Sequence, residues 1–285
     1  MEPNLLHALA KGLKGDPEEH IWDNSKLHVS DLAVAIPGAD GKCPRSLWLR
    51  LRGRKGDPHG PGKLLMFDHG NQIHNRVGEL LRAGLPDEWR IIGLEQKISI
   101  EELTGRLDLL LEGPAGRVVV DFKTIRGRAF NYLFEPKPMH TLQVQTYSMA
   151  VDADYAKVLY IDREGQNFAQ EFPIPRDDAK VIQALEIARA IHRDAMEIDN
   201  EDIDAWHGPD ILPPNVKRNS NKGPDSIKLE LPWQCQYCEY LDNFCGASIP
   251  PCSRHNGIVG HIDDEGIFLP KEGCENIAPI IEQYI

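Results

Sequence analysis

An α/β core built on a mixed sheet is the fold class that the sequence predicts, and three observations carry it. Residues 89–124 hold three successive runs with the two-residue alternation of strands. Residues 139–151 and 176–197 space their apolar side chains as helices do, and two further strand-like runs lie between them. The resulting order is helices, a strand meander, a helix, two strands and a long helix, an arrangement that packs helices on a mixed sheet.

From the N-terminus, "SKLHVSDLA" offers Ser30 as a helix N-cap, and "CPRSLWLRLRG" reads as a helical piece closed by Gly53. "RGRKGDPHGPGKL" is a Gly/Pro-rich loop. Its likeness to a phosphate-binding loop fails because the first glycine is misplaced and no Ser or Thr follows Gly62-Lys63. Leu64 to about Ala83 is expected to be a helix with Gly70, Ile73, His74, Val77, Leu80 and Leu81 on one side. "WRIIGLEQKISIEE" and "LTGRLDLLLEG" then alternate as strands, and "RVVVDFKT" makes a third after the "GPAG" turn. "MHTLQVQTYSMAV" is helical, "YAKVLYIDRE" and "FAQEFPI" are strands, and Arg176 to Glu197 is a long helix. The stretch "HGPDILPPNVKRNSNKGPDS" is polar and proline-dotted, so residues 199–232 are expected to form a linker or a surface excursion. A cysteine module opens at "LPWQCQYCEYLDNFC", and the tail from Gly246 shows no strong periodicity. This divides the chain into an N-terminal helical segment (1–63), a core (64–198), the linker (199–232) and a C-terminal module with its tail (233–285).

Composition bounds the function. The 285 residues are 41% hydrophobic and 27% charged, which fits a globular protein with a sizeable core. No stretch approaches the roughly twenty apolar residues of a membrane span, and "MEPNLLHALAKGLKGDPEEH" lacks the apolar centre of a signal peptide, so a cytoplasmic location is expected. The net charge of −12 excludes a uniformly basic surface but not a local contact with a polyanion. Arg45, Arg50, Arg52, Arg54 and Lys55 crowd one acid-free stretch and are candidates for such a contact, as are Arg126 and Arg128. The acidic run from Asp194 to Asp204 reads as a solvated face.

The chemistry concentrates in "VVVDFKTIRG". Alternation along a strand puts Asp121 and Lys123 on one side and Phe122 on the other. In the preceding strand Asp108 interrupts the apolar run "GRLDLLL", and a hairpin would set it beside the Asp121 strand. Buried carboxylates are costly unless paired or bound to metal, so two acids and a lysine on adjacent strands ask for a cation. A hard ion such as Mg²⁺ or Mn²⁺, completed by substrate phosphate, fits that demand. His74 on an apolar helix side is either a satisfied core residue or a ligand. Glu95 is a further inward acid or the polar phase of an edge strand. Gln143 and Tyr147, four residues apart, share a helical face.

In this order, "GNQIH", "GRLDLLL", "VVVDFKT" and Gln-x-x-x-Tyr resemble the RecB-like branch of the PD-(D/E)XK nuclease superfamily. The resemblance implies a restriction-endonuclease-like core with a central mixed sheet flanked by helices. It implies that His74, Asp108, Asp121 and the Phe122 backbone carbonyl bind the catalytic metal, with Glu95 as a further candidate. Lys123 would then act on the attacking water or phosphate, and Gln143 and Tyr147 would contact DNA. Many members carry Glu where this chain has Asp121; the shorter carboxylate shifts the metal and keeps the chemistry.

Six cysteines stand at 43, 235, 238, 245, 252 and 274. Their clustering points to a metal and not to disulfides in a chain of this size. Cys235, Cys238 and Cys245 supply three ligands of a zinc or four-iron site; Cys252 is near enough to be the fourth, and Cys274 is an alternative. Cys43, followed by Pro-Arg, gives another solution. One cysteine before the core and three after it resemble the iron–sulfur nucleases of the CRISPR-associated RecB-like exonuclease family and its phage relatives. That likeness implies a 4Fe-4S cluster on Cys43, Cys235, Cys238 and Cys245, in a module formed from N- and C-terminal segments, with Cys252 and Cys274 left over. Such a cluster would close a loop of 192 residues (235 − 43). By analogy with disulfides that constrains the unfolded chain by about 4 to 5 kcal/mol.

The expected activity is metal-dependent hydrolysis of DNA, at single-stranded ends, by an exonuclease. Partners would be DNA with a free end and proteins of recombination or CRISPR adaptation; no membrane is involved, and the sequence leaves the oligomeric state open. Rival readings are a non-catalytic DNA-end-binding subunit, an endonuclease, including one acting on RNA, and a redox enzyme.

Overall fold

In a computed structural model the described residues are 12, 26–197 except 55, 57, 58, 101 and 166, and the segments 215–218, 226–230, 233–236, 238, 258–263 and 267–270. Cys245, Cys252, Cys274 and Lys55 lie outside them. The main sheet has six strands: β1 (Leu27–His28), β2 (Arg90–Ile100), β3 (Leu103–Gly113), β4 (Gly116–Ile125), β5 (Tyr155–Asp162) and β6 (Ala169–Pro175). The β2–β3–β4 meander is antiparallel, β4 and β5 are parallel, and β6 returns antiparallel to β5. The sheet is therefore mixed, as the order of elements requires. Helices α1 (Pro44–Leu51), α2 (Pro61–Gly84), α3 (Gly127–Phe130), α4 (Pro138–Val151) and α5 (Asp178–Glu197) surround it.

The apolar runs in β3 and β4 exist because both faces of these strands are covered. Leu109, Leu111, Val118, Val120 and Phe122 form one cluster, closed by Val77 and Leu81 of α2. Leu107, Leu110 and Val119 face the larger core, which they share with Leu142 and Val144 of α4, Val181 and Ala188 of α5, and Trp48 of α1. Helix α2 rests on the sheet by a narrow stripe: only its Gly78 is fully buried, and Leu80, expected on the inward side, is 51% exposed. Residue 80 falls at the margin of the apolar arc, and the wide exposed face of α2 takes it.

The N-terminal segment is not separate from the core. β1 pairs in parallel with the start of β3. The Trp48 indole donates to Asp194 Oδ2 (2.7 Å) and Arg52 donates to the Ala195 carbonyl (3.0 Å), so α1 is bonded to the end of α5. Asp194, the first residue of the acidic run, is exposed as expected and serves in addition as an acceptor for Trp48. Ser30 is not an N-cap: His28 caps a 3-10 turn over Val29–Ala35, its N–H donating to Asp31 Oδ2 (2.7 Å), while Ser30 Oγ accepts from Lys42 Nζ (3.0 Å).

The stretch expected to be a linker contributes β7 (Asn215–Arg218) and β8 (Ser226–Glu230). With β9 (Ile258–Ile262) and β10 (Phe268–Pro270) they form an antiparallel sheet in the order β10-β9-β8-β7. These strands are three to five residues long, too short to rise above the surrounding prolines and polar residues. No helix among the described residues is long and apolar enough to cross a membrane.

The β3–β4 hairpin closes at Gly116, whose φ of +96° suits glycine alone. A Cβ there would stand 2.2 Å from Asp154 Oδ2, and that oxygen accepts the Arg117 N–H (2.7 Å). Gly116→Ala is expected to destabilise the protein by about 1 to 3 kcal/mol. In urea denaturation the midpoint would drop with an unchanged m-value.

Candidate active site

The antiparallel ladder of β3 and β4 runs from Gly113–Gly116 to Leu109–Val120 and stops. Beyond that pair the strands part. β3 passes to a new neighbour, β1, at Leu103–Leu27, while β4 continues along β5 to the Ile125–Asp162 pair. Asp108 and Asp121 are the first residues past the fork. In place of a ladder bond, the Phe122 N–H donates to Asp108 Oδ2 at 2.7 Å. On the other edge of β3, the pairs Leu94–Leu109 and Gln96–Leu107 put Glu95 level with Asp108. Three acids therefore lie in one row across β2, β3 and β4.

Glu95 has a φ of 48°, a left-handed conformation that non-glycine residues adopt at a cost of about 1 kcal/mol or more. Its carboxylate bonds Arg106 Nε at 2.9 Å. One donor atom each from His74, Glu95 and Asp108 lie within 4.8 Å of one another. His74 reaches the fork from α2, with Nδ1 3.6 Å from Asp108 Oδ2 and its ring edge-on to Phe122, centroids 5.7 Å apart. Lys123 Nζ lies 2.7 Å from Asp121 Oδ2, and the Asp121 side chain is 2% exposed.

Burial sets the protonation states. Asp108 is pushed up to about 7, first by desolvation and then by the charge of Asp121. Burial acts to lower Lys123, but the charge and hydrogen bond of Asp121 outweigh it and raise the ammonium above its ordinary value. His74 is lowered by burial and by Lys123, so its imidazole is neutral and able to offer a nitrogen lone pair. The Asp108 carboxyl, the neutral His74 imidazole and the Glu95 carboxylate form a donor set that fits a hard divalent cation, with Asp121 and its partner Lys123 next to it.

Helix α4 covers the site. Gln143 Nε2 donates to Tyr147 Oη at 3.4 Å. Tyr147 is 3% exposed and packs where a side chain on Gly105 would stand 2.9 Å from its ring, so it forms a wall of the site and offers no open face to a base. His140, absent from the Gln-x-x-x-Tyr motif, stands three residues before Gln143 on the same stripe. Its Nδ1 is 2.7 Å from Tyr160 Oη, which in turn accepts the Lys137 N–H at 3.0 Å. Burial, then Lys123 and Lys137, press the His140 pKa down to about 3, so the ring that shares a hydrogen bond with Tyr160 is neutral. Extending the Gln-x-x-x-Tyr stripe one turn towards the N-terminus would have found it.

The basic run is divided. Arg45 is buried, Arg50 pairs with Asp31 Oδ2 at 2.5 Å, and Arg52 is bonded to Ala195 and lies 5.7 Å over the Trp48 ring. Arg50 and Arg52 thus hold the N-terminal segment in place. Arg54 is half-buried, whereas Arg126 and Arg128 are exposed at the end of β4, beside the site.

Of the expected cluster cysteines, Cys43 and Cys235 are buried and Cys238 is half-buried. Cys43 precedes α1, and Cys235 lies in the helical turn α6 (Trp233–Gln236). Gln234 of that turn donates to the carbonyls of Gly38 (2.9 Å) and Gly41 (3.2 Å), and Cys43 and Cys238 line one cavity of about 700 Å³. Residues nearly two hundred positions apart are thus brought together.

The fork in the mixed sheet thus sets two acids and a lysine at its mouth. A model of the PD-(D/E)XK nuclease superfamily matches residues 4–245, and the chain belongs to that superfamily: it is a nuclease. Such nucleases work with divalent metals, in keeping with the donor set described. The chain is similar to the crystal structure of SSO0001 (15% identity, 86% of this chain and 98% of that one covered, TM-score 0.47). It is similar also to an alkaline exonuclease, LHK-Exo, from Laribacter hongkongensis (15%, 60% and 88%, TM-score 0.46). A third is a phage-related exonuclease from Haemophilus somnus 129PT (15%, 60% and 93%, TM-score 0.40). No curated protein matches the sequence.

Because Asp108 ionises less readily in the folded chain than in the unfolded one, the folded state holds the extra proton. Stability from this group is present at low pH and is lost as pH rises from about 4 to about 7. Asp108→Asn keeps an acceptor for Phe122 and removes the penalty. Thermal melting of metal-free protein is expected to show the variant more stable than the parent at pH 8, with the advantage shrinking towards pH 4. Added Mg²⁺ would raise the parent's midpoint more at pH 8 than at pH 5.

Proposed function

We propose that this nuclease is a DNA exonuclease that trims single-stranded ends, using Mg²⁺ or Mn²⁺ held by His74, Asp108, Asp121 and the Phe122 carbonyl, with Glu95 alongside. The observation that carries this reading is the row of acids at the β3–β4 fork with Lys123 bonded to Asp121. A bound divalent ion supplies charge neutralisation at the scissile phosphate and makes a water molecule more acidic. Lys123, kept protonated, cannot serve as a base there; it donates hydrogen bonds, orienting the attacking water or steadying a phosphate oxygen. Gln143, half-buried above Tyr147, is the polar group of α4 able to reach a substrate beside the site. Arg126 and Arg128 contribute phosphate contacts that position the strand.

A 4Fe-4S cluster on Cys43, Cys235, Cys238 and Cys245 belongs to the same proposal. It is supported by the cavity that Cys43 and Cys238 both line and by the bonds from Gln234 to the loop before Cys43. It would act as a clasp across the core, with no redox step in the reaction. Proteins of recombination or of CRISPR adaptation would supply the free ends.

Protein purified without oxygen, incubated with Mg²⁺ or Mn²⁺, is expected to shorten end-labelled single-stranded DNA and to leave a closed circular strand intact. Asp121→Ala and Lys123→Ala should each slow this at least a hundredfold. Cutting of the circle would make the enzyme an endonuclease. An inert parent that still binds DNA ends would make it a binding subunit. Cys43→Ser should remove the visible absorption of the cluster and lower the melting temperature.

A further inference from the structure

Three aromatic rings stand in solvent past the C-terminal ends of β4 and β5: Tyr132 is 73% exposed, Phe134 83% and Phe168 89%. They are not on loose ends. Tyr132 and Phe134 flank Leu133, which is buried and whose N–H bonds the Phe130 carbonyl at 3.1 Å. Phe168 ends a turn organised by Asp162, whose carboxylate accepts the N–H groups of Glu164 (2.9 Å) and Asn167 (2.8 Å). The two loops are joined, since Asn167 Nδ2 donates to Asn131 Oδ1 at 3.1 Å. The fold therefore presents the rings on fixed supports while leaving their faces open.

Their surroundings are cationic in a chain whose net charge is −12. Arg126, Arg128 and Lys137 are exposed and Arg163 is half-buried. The acids at the surface here are Glu135 and Glu164, and the latter accepts the Gly127 N–H at 3.1 Å. The patch lies at the C-terminal ends of the parallel strands β4 and β5, where open α/β sheets receive ligands. Lys123 is on the same part of β4, and the Lys137 N–H bonds Tyr160, the partner of His140.

We propose that Tyr132, Phe134 and Phe168 form a stacking platform for unpaired bases of a DNA strand whose phosphates are held by Arg126, Arg128 and Lys137. Exposed rings interleaved with cations are what a single strand requires. Every base has a face to stack, and a duplex keeps its base faces covered. The platform rests on the proposed action on single-stranded DNA and gives it a physical basis: the preference arises at the rim of the site and not at the metal-binding acids.

The test is binding in EDTA, where no cleavage is needed, with a fluorescently labelled oligothymidylate and a blunt duplex. Tyr132→Ala/Phe134→Ala/Phe168→Ala is expected to weaken oligothymidylate binding at least tenfold, leaving duplex binding and the salt dependence unchanged. Arg126→Ala/Arg128→Ala should instead weaken both probes and flatten the salt dependence. The platform is overturned if the triple variant binds the oligothymidylate as the parent does, or loses both probes equally. It is overturned also if its main effect is to abolish self-association of the parent in sedimentation, which would make the patch an interface between copies. Melting curves will show whether the variants remain folded. Loss of oligothymidylate binding in the triple variant, with a parent that cuts no DNA, would retain the platform and remove the exonuclease reading.

Discussion

The parting of β3 and β4 after the Leu109–Val120 pair is the constraint on which the rest of the site depends. A sheet that stayed fully paired would satisfy the Phe122 N–H with a backbone carbonyl and would leave Asp108 and Asp121 as adjacent like charges between continuous strands. The fork turns that unfavourable pairing into a cleft. Asp108 accepts the freed amide, Asp121 takes the ammonium of Lys123, and His74 enters from α2 on the far side. Each contact compensates a group that the fork exposed, so the cleft cannot be described as a surface pocket added to a finished core.

Electrostatics follow from the same geometry. The hydrophobic runs on both faces that make β3 and β4 stable also desolvate the two acids, and desolvation is the leading cause of the raised Asp108 pKa. Lys123 compensates Asp121 and Arg106 compensates Glu95, which leaves Asp108 to bear the cost of desolvation until a cation arrives; the left-handed backbone at Glu95 is a second cost borne at the same place. Stability is spent at the place where binding energy is wanted.

Much of this is legible from the residues. The strand pattern gives β3 within its observed bounds, and an acid breaking the apolar run "GRLDLLL" announces a compensated charge before any partner is known. What stays hidden is geometry with no periodic signature. Glu95 cannot be distinguished from the polar phase of an edge strand until its register puts it level with Asp108. Arg50 reads as a DNA contact by composition, and only its partner Asp31, nineteen residues earlier, makes it structural. The short strands β7 and β8 are lost among prolines. His140 shares a stripe with Gln143 and Tyr147, yet it needs Tyr160, on a different strand, to gain a role.

The N-terminal segment is tied to the fork through β3. β1 occupies the edge of β3 that β4 has left, bonding at Leu27 to the Glu102 carbonyl, and Glu102 pairs with Arg189 of α5. Contacts on either side of Cys43 hold that strand down: Asp31 takes both Lys42 and Arg50, Trp48 is bonded to Asp194, and Gln234 fastens the loop before Cys43. Were β1 to lift away, the lower edge of β3 would be left with unpaired backbone groups, and the cheapest repair would be to extend its ladder with β4 and close the fork. The contacts that seat the segment around Cys43 thus also hold β1 on the edge of β3 and so support the fork between Asp108 and Asp121.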